Sequence, residues 1–65
     1  MDKKFITPER VGEIAQMTKG MLAQRRFQGL PPKFYKPSPK TVLYDEAEVI
    51  EWLEGSVRTQ TGDAA

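Results

Sequence analysis

The side chains best equipped for chemistry in this sequence are cations in an unbroken run. Lys19, Arg25, Arg26, Lys33, Lys36 and Lys40 follow one another with no Asp or Glu between them, and then Asp45, Glu46, Glu48, Glu51 and Glu54 follow with no cation. The net charge is only +1, so the asymmetry lies in the distribution: one basic surface and one acidic surface, a field that orients a molecule on a polyanion. Such segregation also arises by chance in small proteins. The chain has neither histidine nor cysteine, which removes the usual general base, the usual metal ligands and the thiol nucleophile. A carboxylate-only active site needs a cleft that 65 residues can hardly build. The expectation is a binding protein, not an enzyme, with no cofactor and no metal.

The elements that must position these cations can be read from three similar start signals. In Ile6-Thr7-Pro8-Glu9-Arg10-Val11, Thr7 is an N-cap, Pro8 suits the first helical position and Ile6 staples onto Val11. Val11, Ile14 and Ala15 give a first helix, Pro8 to Gln16, one buried face. Thr18 caps a second helix almost at once, with Met17 stapling to Leu22, and Gly29 ends it before Leu30-Pro31-Pro32. Two helices so close in sequence must cross steeply, which is helix-turn-helix geometry. Lys33–Lys36 and Thr41–Tyr44 then read as a two-stranded β-hairpin around Pro37-Ser38-Pro39-Lys40. Asp45 opens a third helix, with Glu48 completing a capping-box-like pair and Tyr44 stapling onto Val49. That helix stops near Glu54, and Trp52 with Leu53 closes the core against the first two. The fold class is α+β: a small winged helix in the order helix, helix, strand, strand, helix, spanning residues 5–54, with residues 55–65 a polar, disordered tail.

"FITPERVGEIAQMTKGMLAQRRFQGLPPKFYKPSPKTVLYDEAEVIEWLE" resembles the small MerR-like winged-helix domains of phage excisionases and AlpA-type regulators. The likeness is carried by Thr7-Pro8-Glu9 with Val11, by the Thr18 cap with Leu22, by Gly29-Leu30-Pro31 before the wing, and by Tyr44, Val49 and Trp52-Leu53. "QRRFQGLPPKFYKPSPKTVLY" looks most like the excisionases of actinobacteriophages. The resemblance implies an architectural protein that binds direct repeats in double-stranded attachment-site DNA, bends them, and directs a tyrosine integrase toward excision. It also implies cooperative contact with neighbouring copies. Many relatives carry an aromatic or aliphatic residue where Arg25 stands, so the resemblance assigns Arg25 no role.

At about 100° per residue, the second helix carries Met21, Leu22 and Arg25 on one side and Gly20, Ala23, Gln24 and Phe27 on the other. With Met21 and Leu22 facing the core, Gly20, Ala23 and Gln24 enter the major groove. Gly20 admits close backbone approach to DNA, or else relieves crowding where the helices cross. Ala23 suits a thymine methyl, and Gln24 either bonds an adenine edge or is simply a surface helix former. Lys19 and Arg26 flank this face and suit phosphates. Arg25 either reaches a phosphate or pairs with Glu13 or another acid, and Phe27 packs on the hairpin or on Leu30 in preference to inserting between bases. Around the hairpin tip, Lys36, Ser38, Lys40 and Thr41 form a wing able to meet the adjacent groove, although lysines on edge strands also guard against aggregation. The candidate DNA-binding residues are therefore Thr18, Lys19, Gly20, Ala23, Gln24, Arg25 and Arg26 on the helix and Lys36, Ser38, Lys40 and Thr41 on the wing.

The acidic third helix is either simply solvated or meets the basic surface of a neighbouring copy. A small transcription regulator of the AlpA type uses the same face, and a protein-interaction module without DNA binding is the remaining alternative. No apolar run has the length of a signal peptide or membrane span, so the expected setting is soluble, cytoplasmic and on DNA.

Overall fold

Each helix begins at the side chain expected to start it. In the computed structural model, which describes residues 3–59, Thr7 Oγ1 accepts from the Arg10 amide at 3.2 Å, and Thr18 Oγ1 from the Met21 amide at 3.0 Å. Asp45 Oδ1 accepts from the Ala47 amide at 3.0 Å. These bonds satisfy amides that have no partner inside their own helix. The elements are β1 (Phe5–Ile6), α1 (Pro8–Ala15), α2 (Lys19–Gln28), β2 (Tyr35–Ser38), β3 (Thr41–Asp45) and α3 (Glu46–Glu54). The fold is α+β, with three helices and a three-stranded antiparallel sheet among the described residues.

The third strand is a correction to the expected two-stranded hairpin. β1 pairs with β3 in the register Phe5↔Asp45 and Ile6↔Tyr44, giving the order β1-β3-β2. Two residues carry no periodicity to read, so β1 is defined only by its distant partner. The hairpin also differs in detail. β2 starts at Tyr35 instead of Lys33, and Ser38 faces Thr41, so the turn is the two residues Pro39 and Lys40. The register shifts between Tyr35 and Ser38, a bulge at Lys36-Pro37, where proline on an edge strand removes no ladder bond.

Between α1 and α2 the chain turns through Gln16, whose φ of 59° is left-handed, and the Met17 amide donates to Gly12 O at 3.0 Å. A Cβ on Gly12 would lie 2.5 Å from the Met17 carbonyl oxygen. Gly12, not Gly20, is therefore the glycine that the close approach of the α1–α2 turn requires; a Cβ on Gly20 would meet only Thr18 Oγ1 at 3.8 Å. At the other end of α2, Gly29 takes φ 74°, as its place after the helix requires.

Ile6, Val11, Leu22, Tyr44 and Val49 form the buried core, with Ile14, Met17, Val42, Trp52 and Leu53 packed against it. Burying one such aliphatic side chain contributes about 1.5–3 kcal/mol. Met21, expected in this core, is instead 50% exposed, because Leu22 alone points from α2 into the interior. Asp45 caps α3, but Glu48 does not reciprocate: its carboxylate accepts from the Tyr35 hydroxyl at 3.1 and 3.2 Å. The expected tail begins with ordered bonds, the Ser56 amide donating to Leu53 O at 3.0 Å, and residues 60–65 of it lie outside the described residues. Among the described residues no helix is long and apolar enough to cross a membrane.

Candidate nucleic-acid interface

Leu22 fixes how α2 sits. It is the buried residue of that helix, so the 100° step turns Gly20, Gln24 and Phe27 to the opposite side with Ala23 beside them. All four are exposed. This outward face is small at Gly20 and Ala23, polar at Gln24 and aromatic at Phe27. Phe27 corrects an expectation: it packs on neither the hairpin nor Leu30, but is 88% exposed.

The hairpin tip stands along one flank of this face. Lys19 and Arg26 from α2 and Lys40 and Thr41 from the hairpin line one groove of about 340 Å³, with Thr7, Pro8 and Glu9 at its α1 end. Arg26 is held there. Its Nη1 donates to the Tyr44 hydroxyl at 2.8 Å, and its guanidinium carbon lies 5.8 Å from the Phe34 ring centroid. Tyr44 is fully buried, so its hydroxyl needs a partner, and the arginine supplies it. One guanidinium has five donors, leaving Arg26 able to bind a phosphate from the same position. The part played by Tyr44 was not visible in the sequence, where it reads only as a staple; a buried tyrosine in need of a donor or acceptor was the available signal.

Lys19 is partly neutralised by Glu9, Nζ to Oε2 3.2 Å, both side chains being well exposed. The Glu9 carboxyl is held below its ordinary pKa, first by its own backbone N–H at the start of α1 and then by Lys19. Thr18 spends its hydroxyl oxygen on the helix cap. Ser38 Oγ donates to Thr41 Oγ1 at 2.8 Å, so Thr41 keeps its own proton for an outside acceptor. Arg25 turns away from Glu13, which pairs with Arg10 at 2.9 Å. Its Nε donates to Pro31 O and its guanidinium carbon lies 5.3 Å from the Trp52 ring centroid. Lys36 is not brought to the groove; it borders a separate hollow with Phe5, Tyr35, Pro37 and Leu43.

Comparison with family models, curated proteins and solved structures finds no match. Lys3, Lys4, Arg10, Lys19 and Lys33 each lie within 4 Å of a carboxylate. Among the described residues, Arg25, Arg26, Lys36 and Lys40 have none within that distance. These four belong to α2 and the hairpin. Arg26 and Lys40 both line the groove, together with the Thr41 hydroxyl and the Glu9–Lys19 pair.

Proposed function

We propose that this protein is an architectural DNA-binding protein of the winged-helix type, with α2 in the major groove and the β2–β3 hairpin as its wing. On the resemblance of its sequence, it acts as a phage excisionase that bends attachment-site repeats and directs a tyrosine integrase toward excision, without catalysis of its own. One observation carries the DNA reading: Arg26 and Lys40, which line one groove, have no carboxylate within ion-pair distance, while Lys3, Lys4, Arg10, Lys33 and, in the same groove, Lys19 are matched by acids. Cations left unneutralised are available to replace the counterions of a phosphate backbone. The outward face of α2 fits the same reading, since Gly20 and Ala23 let the backbone come close and Gln24 can bond an adenine edge.

The test is in vitro recombination with the cognate integrase, accompanied by footprinting on the attachment site. Protected direct repeats, stimulated excision and inhibited integration are expected. Binding without an effect on recombination would move the reading to a small transcription regulator on the same scaffold. No protection at moderate salt would leave a protein-interaction module.

A further inference from the structure

Phe27 is the most exposed large apolar side chain of the described residues, more so than Val57 at 70% or Met21 at 50%. It lies on α2 in line with Gly20, Ala23 and Gln24, opposite the buried Leu22. The ring contacts of the described residues join Phe5 to Tyr35 and Phe34 to Tyr44, and neither includes Phe27. A phenyl ring left in water on the face of a helix forgoes a substantial burial term, so a partner that covers it gains that term on binding.

The charge around it narrows what that partner is. Arg26, next in sequence, and Lys40 across the groove have no carboxylate within ion-pair distance, which favours a polyanion over an apolar protein groove. In the major groove of DNA the base edges offer donors, acceptors and one apolar group, the C5-methyl of thymine. We propose that Phe27 is a specificity-determining residue that packs on thymine methyl groups in the major groove, beside the base pair met by Gln24. This rests on the DNA-binding reading of α2 and adds to it an apolar component of sequence choice. Gly20 and Ala23 are small enough to let the ring reach the groove floor.

The experiment separates the methyl group from the base pair. Tight sites are first selected from a pool of short duplexes of random sequence. They are then resynthesised with deoxyuridine in place of thymidine, which keeps Watson–Crick pairing and deletes only the methyl. Affinities of the wild type and of Phe27→Ala are measured by fluorescence anisotropy at one salt concentration, with thermal melts to show that both proteins are folded. The wild type should lose about fourfold in affinity per methyl contacted, and Phe27→Ala should bind the two duplexes alike. Equal binding of both duplexes by the wild type would overturn the role of Phe27 while leaving DNA binding intact. An equal loss in both proteins would assign the methyl contact to another residue and overturn it as well. If no duplex is retained by either protein, the DNA-binding reading fails and the inference falls with it.

Discussion

Gly20→Ala separates what a glycine does for folding from what it does for binding, because the two effects have opposite signs. The added Cβ meets only Thr18 Oγ1, at 3.8 Å, and nothing else outside the helix lies within 4 Å, so alanine enters without a clash. Gly20 does not have positive φ, so no backbone strain opposes the change. Glycine in a helix costs roughly 0.5–1 kcal/mol relative to alanine, and the first turn lies at the low end. For a domain of this size about 0.5 kcal/mol raises the Tm by about 2–4 °C. If α2 enters the major groove as proposed, the same methyl would hold the backbone away from DNA. If that interface tolerates overpacking no better than a protein core, the cost is about 1–3 kcal/mol, or roughly five- to 150-fold in affinity. Calorimetry gives the first quantity and anisotropy with a selected duplex the second. Gly12→Ala is the counterpart: with Met17 O only 2.5 Å from the new Cβ, backbone must shift and the Tm should fall by at least about 4 °C. A Tm that does not rise in Gly20→Ala would refute the reasoning from open space, and a higher Tm with unchanged affinity would refute the close approach to DNA.

Three further outcomes follow from the geometry. Tyr44→Phe keeps the core ring but releases Arg26, so it should cost roughly 1 kcal/mol of stability and weaken DNA binding less than Arg26→Ala does, as paired melts and titrations will show. Glu9→Gln removes the carboxylate beside Lys19; affinity for DNA should rise and the slope of log affinity against log salt should steepen by up to nearly one unit. Asp45 is held below its ordinary pKa, first by the bond from Lys3 Nζ at 2.7 Å and, against the opposing effect of burial, also by the Ala47 amide. A depressed carboxyl stabilises the fold above its unfolded value and loses that contribution as pH falls through its folded value. Stability in urea melts should therefore decline as pH falls below about 4, and Asp45→Asn should flatten that decline.

What could be read from the sequence was what is local. Thr7, Thr18 and Asp45 cap their helices through bonds that span two or three residues, and Gly29 ends α2 for a reason confined to its own φ. What escaped depends on residues far apart. β1 exists only because β3 accepts it, and Glu48 leaves the cap because Tyr35 reaches it from another strand. Arg26 is positioned by Tyr44, a partner 18 positions away. Phe27 and Met21 failed for a different reason: the rule that large apolar residues are buried runs one way only, and α2 turns just Leu22 fully inward. Of the candidate site, Lys19, Arg26, Lys40 and Thr41 converge as one group, while Lys36 and Arg25 face other surroundings.

The pairing of β1 with β3 has a consequence for when this chain can fold. Lys3 and Asp45, joined across that junction, are 42 positions apart, and the Glu46 amide closes onto Lys4 O at 2.9 Å. Contacts of such sequence separation make folding slow relative to a bundle of local helices. On a ribosome, α1 and α2 leave the exit tunnel while Tyr44 and Val49, two of the five core side chains, are still inside it. Neither the sheet nor the core can close until α3 has begun to emerge. Acquisition of the native state therefore waits for β3 and α3, and a chain cut short before β3 leaves Ile6, Val11 and Leu22 open to proteases.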